Sequence, residues 1–253
     1  MERAHISGRK TPAEFVSLAA SGTPQERENA AWALGCLAAS RAASRVEIAE
    51  AGAIPPLVDL VQQGTAGQRL EAVRTLGWLA ADNADNRAQV AAAGGITPLV
   101  EVLASAAREE QVEASRALAH VATDNAENAA SIGQAGAITI LVDMVARVNA
   151  EAKRCAATAL AELAAECADN RWLVLNMDGV GPLADLAACG STVPDRLSAV
   201  RALSNLAIDN PGNQAAAVDA GAVALFLGFV QDDSPELQRW ACRGLLNLSM
   251  DSA

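Results

Sequence analysis

The amino-acid sequence predicts an all-α fold built from tandem helical repeats, and two observations carry this prediction. Almost the same stretch occurs three times at a spacing of 42 residues, as AGAIPPLVDLV from Ala51, AGGITPLVEVL from Ala93 and AGAITILVDMV from Ala135. Looser copies start at Asp178 and Ala220, and a fixed period in this range is typical of solenoid proteins. In addition, 51% of the residues are apolar, but only 3% are aromatic and none is tyrosine. This composition favours helices over a β-sandwich.

One unit of the period predicts three helices of increasing length. A short helix, capped by Asn83 or Asp85, runs to about Ala93, and Gly94 ends it in a left-handed conformation. The second helix is PPLVDLVQQG, and the third spans roughly Ala66–Ala81. The second helix directs its apolar residues inward, namely Leu57, Val58, Leu60 and Val61. Prolines suit the first turn of this helix, and they occur there as Pro55, Pro56, Pro98 and Pro182.

The third helix has two faces when it is drawn at about 100° per residue. The face predicted to be core contains Leu70, Ala72, Val73, Leu76, Gly77, Leu79 and Ala80. The face that its own repeat leaves uncovered contains Glu71, Arg74, Thr75 and Trp78. The turn before each second helix needs a residue that accepts positive φ. We assign that role to Gly52, Gly94, Gly136, Gly179 and Gly221, at spacings of 42, 42, 43 and 42 residues.

A short, a medium and a long helix in every 42 residues, joined by a Gly-Ala-hydrophobic-Pro turn, resemble the armadillo repeat. HEAT repeats use two helices and lack this turn. The resemblance covers nearly the whole chain and implies one domain, residues 1–253, folded as a right-handed superhelical solenoid whose third helices line a concave groove. The units are a partial repeat at 11–40 and full repeats at 41–82, 83–124, 125–167, 168–209 and 210–253.

The resemblance also marks two rows of groove positions, one helical turn apart. Family members that bind nuclear-import signals carry tryptophan in one row and asparagine in the other. Here the tryptophan row holds Trp32, Arg74, Arg116, Thr158, Arg201 and Arg243. The asparagine row holds Cys36, Trp78, His120, Glu162, Asn205 and Asn247. Only Trp32, Asn205 and Asn247 keep the import-adaptor pattern, and a groove lined by arginine would repel a basic signal peptide.

The four arginines predict a basic stripe on an acidic protein. Arginine suits bidentate binding of carboxylate or phosphate, so the groove is expected to take an extended acidic or phosphorylated segment, as in the β-catenin-like branch. Asn205 and Asn247 would bond the peptide backbone, and Trp78, His120 and Trp240 would supply apolar or stacking contacts. The alternative is a solvated or self-paired face, since Glu71 and Glu113 each lie one turn before an arginine.

These observations predict a protein-binding adaptor or scaffold. One alternative is a structural module that self-associates or docks end to end in a larger assembly, and another is a degenerate import adaptor. The net charge of −11 argues against nucleic acid and anionic membranes as partners. Leu246 occupies a position that holds small residues in the other units. It indicates that no tight neighbour follows, that the end meets another copy, or that further residues follow.

No catalytic constellation, cofactor motif or metal-binding motif occurs in the sequence, and we expect a protein that is not an enzyme. The five cysteines include no C-x-x-C pair and are expected to be reduced and mostly buried. The polar N-terminus and the absence of a long apolar run predict a cytoplasmic, or also nuclear, protein without a membrane span.

Overall fold

The repeat period sets the order of the helices along the chain. The structure, a computed structural model, describes residues 10–105 and 107–250, and these residues form seventeen α-helices and no strand. The first eight are α1 (Pro12–Ser21), α2 (Pro24–Ser40), α3 (Ala42–Glu50), α4 (Ile54–Gln63), α5 (Ala66–Ala80), α6 (Ala84–Ala92), α7 (Ile96–Leu103) and α8 (Arg108–Ala122). The other nine are α9 (Ala126–Gln134), α10 (Ala137–Arg147), α11 (Ala150–Glu166), α12 (Ala168–Asn176), α13 (Val180–Cys189), α14 (Val193–Leu206), α15 (Pro211–Asp219), α16 (Ala222–Phe229) and α17 (Pro235–Ser249). The all-α prediction is confirmed.

The helices recur in the predicted sets of three. The third helices of the units are α2, α5, α8, α11, α14 and α17, and α1 and α2 are the second and third helices of the partial repeat. The chain divides into two units, residues 1–121 and 122–253. Within the first unit α5 packs on α2 and α4, and within the second unit α14 packs on α11 and α17. The assignment of residues 1–253 to one domain stays a prediction.

Side-chain caps explain where many of these helices begin. Thr65 accepts a hydrogen bond from the backbone N–H of Gln68, and the Gln68 side chain accepts one from the backbone N–H of Thr65. This reciprocal capping box satisfies two backbone donors that a helix start leaves without partners. Of the two caps that the sequence offers for α6, Asn83 is the one used, and it accepts from the N–H of Asn86 at 2.9 Å.

The predicted faces of the third helix need two corrections. Leu70, predicted to be core, is only half-buried. The inward side of α4 is buried as expected, but so are Glu71 and Thr75 of α5, which the sequence places on the uncovered face. The reason is the neighbouring third helix, because the Thr75 hydroxyl oxygen lies 2.8 Å from the carbonyl oxygens of both Ala31 and Glu71. A helical face that one repeat leaves open is therefore partly closed by the preceding repeat.

The turn before the second helix also departs from the prediction in one repeat. Gly52, Gly94, Gly136 and Gly221 all have positive φ, as expected, but Gly179 does not. The left-handed residue there is Asp178, with φ of 53°, and aspartate tolerates this region better than most side chains. The left-handed positions thus keep the 42-residue spacing up to Asp178, and the extra residue falls in the following repeat.

Two glycines of the second unit allow a test of the requirement for positive φ at the turn before the second helix. Gly136 has φ of 91°, whereas Gly181 lies in the first turn of α13, and a Cβ at either position would meet no atom within 4 Å. Gly136→Ala is expected to lower the free energy of unfolding by about 1 kcal/mol, because an L-residue is strained at that φ. Gly181→Ala is expected to raise it by up to about 1 kcal/mol through helix propensity. Urea-induced unfolding of both variants measures whether the two changes in the free energy of unfolding have opposite signs. Equal losses of stability would contradict this explanation.

A second set of repeated residues, which the sequence analysis missed, joins the first helices to their surroundings. Asparagine recurs at the third position of α6, α9, α12 and α15, and all four side chains are buried. Asn170 donates from Nδ2 to the carbonyl oxygens of Ala129 at 2.8 Å and Leu163 at 3.1 Å. The next residue, Arg171, donates from Nη1 to the carbonyl oxygen of Ala164 at 2.8 Å. The bonds to Leu163 and Ala164 satisfy carbonyls that the C-terminal end of α11 leaves without helical partners, and the bond to Ala129 joins α12 to α9.

The expectation of mostly buried thiols is wrong. All five cysteines are free, but Cys36, Cys189 and Cys242 are exposed and only Cys155 is buried. No single helix of the described residues is both long and apolar enough to cross a membrane. Only α9 and α10, bent by 78° at the break between them, pass that test as a pair, by length and composition alone.

Candidate functional site

The predicted site residues all lie on third helices. Neighbouring site residues within one helix are three or four residues apart, which places them on the same face, about one turn apart. In the first unit they are Trp32 on α2, Arg74 and Trp78 on α5, and Arg116 and His120 on α8. In the second unit they are Arg201 and Asn205 on α14, and Trp240, Arg243 and Asn247 on α17. Each unit therefore carries its own part of the candidate surface.

An aromatic pair occupies the surface of the first unit. Trp78 is exposed and stacks on His120, with ring centroids 6.5 Å apart and an angle of 28° between the ring planes. Burial lowers the pKa of His120 below its ordinary value, so the imidazole is neutral at neutral pH. The exposed Trp78 ring forms a flat, mainly apolar surface, and its indole N–H can donate a hydrogen bond.

The arginines of the first unit are already paired with carboxylates. Arg74 lies 2.6 Å from Glu109, 3.2 Å from Glu113 and 3.7 Å from Glu71. Arg116 lies 3.3 Å from Glu113. Part-exposed pairs of this kind contribute little to stability, about 0 to 1 kcal/mol each, but they cancel the positive charge that the sequence assigned to this surface. In the first unit the geometry therefore favours the self-paired alternative.

In the second unit Arg201 pairs with a buried carboxylate and contacts an aromatic ring. Its Nη2 lies 2.5 Å from Oε1 of Glu162, and its guanidinium carbon lies 5.3 Å from the centroid of the Trp240 ring. Burial raises the pKa of Glu162, and the charge and hydrogen bond of Arg201 oppose that rise. The ion pair holds Arg201 in place, and Arg201 and Trp240 are both half-buried.

Arg243 differs from the other arginines of the predicted stripe. Its guanidinium lies 5.1 Å from the Trp240 centroid, a cation–π contact between residues three apart on α17. Among the residues that the structure describes, no carboxylate lies within ion-pair distance of it. We call Arg201, Trp240 and Arg243 the arginine–tryptophan cluster. It combines one unneutralised cation with an aromatic surface.

The two asparagines are used inside the fold. Asn205 donates from Nδ2 to the carbonyl oxygen of Ala161 at 2.9 Å, and Asn247 donates to that of Ser204 at 2.8 Å. Both side chains are buried. Their amide donors join neighbouring third helices, so the geometry favours a packing role over the predicted contact with a peptide backbone.

The structure thus brings together Arg201, Trp240 and Arg243 in one unit, and Trp78 and His120 in the other. The sequence could suggest the pairs Glu71–Arg74 and Glu113–Arg116, since each is three residues apart. It could not suggest Glu109 as a partner of Arg74, because the two are 35 residues apart. Within the described part of the chain, no group of three or more His, Cys, Asp or Glu side chains could hold a metal ion.

Comparison with solved structures finds engineered proteins and designed armadillo repeat proteins. An engineered protein is 29% identical, with a TM-score of 0.87, over 95% of this chain and 97% of its own. A designed armadillo repeat protein in complex with the peptide (KR)4 is 25% identical, with a TM-score of 0.83, over 95% of this chain and 100% of its own. A structure described as computationally designed armadillo repeat proteins for modular peptide recognition is 26% identical, with a TM-score of 0.82, over 94% of this chain and 99% of its own. No protein-family model and no curated protein sequence matches the chain.

The helix order and the similarity to these solved structures place the chain among the all-α proteins built from three-helix repeats. Within that class the chain has an armadillo-like repeat fold, and the resemblance seen in the sequence is confirmed.

Proposed function

We propose that this chain is a protein-interaction scaffold that binds an extended peptide on the surface formed by its third helices. The proposal is supported by the fold and by two similar designed proteins, one described as bound to a peptide and one as made for modular peptide recognition. It is also supported by an aromatic pair with an exposed tryptophan on the third helices of the first unit and by an exposed guanidinium beside an aromatic ring on the last third helix of the second unit.

The second unit is proposed to take an acidic or phosphorylated side chain. The observation that carries this proposal is the exposed guanidinium of Arg243, which is held against Trp240 and has no carboxylate partner among the described residues. Arginine offers two parallel N–H donors to a carboxylate or phosphate. The Trp240 ring limits the motion of the guanidinium and reduces the entropy lost on binding.

The ion pairs restrict where acidic groups can bind. Arg74 is already surrounded by three carboxylates, and an acidic ligand there would have to displace them. We therefore assign the acidic preference to the arginine–tryptophan cluster alone. The Trp78–His120 pair of the first unit is assigned to apolar side chains of the ligand.

Charge reversal at Arg243 tests this assignment. Arg243→Glu is expected to weaken binding of a fluorescein-labelled poly-Glu-Gly peptide by roughly ten- to hundredfold, because a hydrogen bond to a charged group contributes about 1.5–3 kcal/mol. Fluorescence anisotropy at low ionic strength measures the dissociation constants, and the Gln-Gly counterpart of the peptide is expected to bind the parent protein more weakly.

Arg147→Glu is the matched control, because it makes the same change in net charge at an exposed arginine at the end of α10. It is expected to leave the affinity nearly unchanged. An equal loss of affinity in both variants would show that the effect comes from long-range electrostatics and not from a contact with Arg243. The peptide (KR)4 could instead bind more tightly than the acidic peptide, and Arg243→Glu could strengthen the binding of (KR)4. In that case the degenerate import-adaptor alternative would replace the proposal of an acidic ligand.

A further inference from the structure

The last repeat exposes apolar side chains on the side that faces away from the preceding repeat. Leu227 of α16 is 56% exposed and Leu246 of α17 is 59% exposed. Val218 of α15, Val223 of α16 and the thiol of Cys242 on α17 are also exposed. We call these five residues the C-terminal end face.

Three of these positions, those of Leu227, Cys242 and Leu246, are buried in the earlier repeats of both units. Leu227 corresponds to Ala184, which is 5% exposed, and to Val142, which is 7% exposed. Leu246 and Cys242 correspond to Ser204 and Val200, which are fully buried. The equivalent residues further back along the chain, Val58, Val100, Ala119 and Ala161, are buried as well.

The following repeat is what covers these positions in the second unit. A Cβ at Gly179, at the start of α13, would lie 2.9 Å from Val142, which shows how closely α13 approaches that side of α10. Asn247 of α17 donates a hydrogen bond to the carbonyl oxygen of Ser204. The end face therefore continues an interface that the chain already uses internally, and it is complementary to packed helices.

A further repeat in the ordinary register does not fit this face. Leu246 occupies a position that otherwise holds Gly35, Gly77, Ala119, Ala161 or Ser204. At Gly77 an added Cβ would lie only 3.2 Å from the Cα of Ala117, so the next third helix comes close to the backbone there. A leucine side chain prevents that approach. The outer residues of α1 and α2 are also unsuited to the face, because Glu14 and Gln25 are polar and exposed, and this disfavours head-to-tail stacking of copies.

We propose that two copies of this chain pair through their C-terminal end faces about a two-fold axis. Such a contact lets Leu227 and Leu246 of each copy cover the same surface of the other, without the close helix approach that Leu246 prevents. The charges at its edge are of both signs, since Asp219 follows Val218 on α15 whereas Arg239 precedes Leu246 by two turns on α17. A two-fold contact that brings α15 of one copy to α17 of the other pairs those charges.

The size of the face predicts a weak dimer. Helices of 9, 8 and 15 residues at 1.5 Å per residue and about 10 Å in width cover roughly 500 Å² per copy. Stable interfaces bury about 800 Å² per partner. Dimerisation is therefore expected only at high concentration, with a dissociation constant on the order of 10–100 µM.

Sedimentation velocity of the full chain from about 5 µM to about 500 µM tests the proposal, since this range brackets the expected constant. The expected result is a reversible monomer–dimer equilibrium without larger species. Leu246→Glu is expected to weaken dimerisation at least tenfold, and Leu227→Glu should do the same from a different helix. Trp172→Glu on α12 is the matched control, because Trp172 is also 59% exposed, and it should leave the equilibrium unchanged. Circular dichroism melting of all three confirms that each variant is folded.

Cross-linking distinguishes the symmetric contact from other contacts. A variant with Cys36→Ser and Cys189→Ser keeps Cys242 as the one exposed thiol among the described cysteines, and a short bismaleimide is expected to link it to itself as a dimer only. A strict monomer at the highest concentration overturns the proposal. So does a ladder of larger species, or a dimer that Leu246→Glu leaves intact. The proposal is independent of peptide binding, because the affinity of each variant for the acidic peptide is measured separately.

Discussion

Asn170→Ala is expected to lower the free energy of unfolding by about 3 kcal/mol, one of the two largest effects we expect from a single substitution in this chain. The Asn170 side chain is buried, and both of its amide hydrogens are used. One goes to the carbonyl oxygen of Leu163, which lies in the last turn of α11 and has no partner within that helix. The other goes to the carbonyl oxygen of Ala129 in α9. Alanine leaves the Leu163 oxygen without a donor, which costs about 1–3 kcal/mol, and removes the second bond to the Ala129 oxygen, which costs about 0.5–1.5 kcal/mol.

Asn176→Ala provides the control for this substitution. Asn176 is the exposed last residue of the same helix, and its replacement is expected to change the stability by less than about 0.5 kcal/mol. Urea-induced unfolding followed by circular dichroism gives both values from the shift of the midpoint and the slope. Equal midpoints for the two variants would show that the buried amide contributes nothing beyond its helix propensity.

The sequence predicts the helices well because the signals that define them are local. The glycine and proline positions, the caps and the apolar spacing of α4 all act within one repeat, and α4, α5 and the glycine turns match the prediction apart from Gly179. In that repeat the left-handed conformation is predicted for Gly179 but belongs to Asp178. The reason for the wrong prediction is that glycine is the usual left-handed residue and aspartate is a less frequent one.

The candidate site was harder to predict because its chemistry depends on contacts between repeats. The row of arginines was visible in the sequence, but the carboxylate of Glu109 that neutralises Arg74 comes from another helix. The same is true of Glu162 and Arg201. Asn205 and Asn247 looked like exposed ladder residues, yet their donors are used by the helix before them.

The buried asparagines of the first helices could have been found. They occur at Asn86, Asn128, Asn170 and Asn213, with the same spacing of 42 or 43 residues as the turns. A polar residue that recurs at a fixed repeat position, whatever its neighbours, indicates a hydrogen bond that every repeat must make. Asn83 caps α6, whereas Asn86, three residues later, is buried and makes the bonds between helices.

Gly133→Ala is expected to cost about 2–3 kcal/mol in the parent protein and to be neutral or stabilising when Asn170 is already alanine. Gly133 lies in α9, where a Cβ would overlap Oδ1 of Asn170. The three nearest atoms to that Cβ all belong to Asn170, so a methyl group can enter only by displacing the amide from its carbonyl partners. Without that side chain the space is open, and alanine in place of glycine favours a helix by up to about 1 kcal/mol.

The double-mutant cycle isolates this coupling, because the two residues are in direct contact and the sign of the glycine substitution should change with the background. Unfolding midpoints of the parent, both single variants and the double variant give the coupling energy, expected to be about 3 kcal/mol. Gly181→Ala measured in the same two backgrounds is the control, since a Cβ there meets nothing within 4 Å and its effect should be additive. Additive behaviour at Gly133 would mean that the asparagine moves aside without losing its bonds. In that case the small residue at this position would reflect helix approach rather than the seating of Asn170.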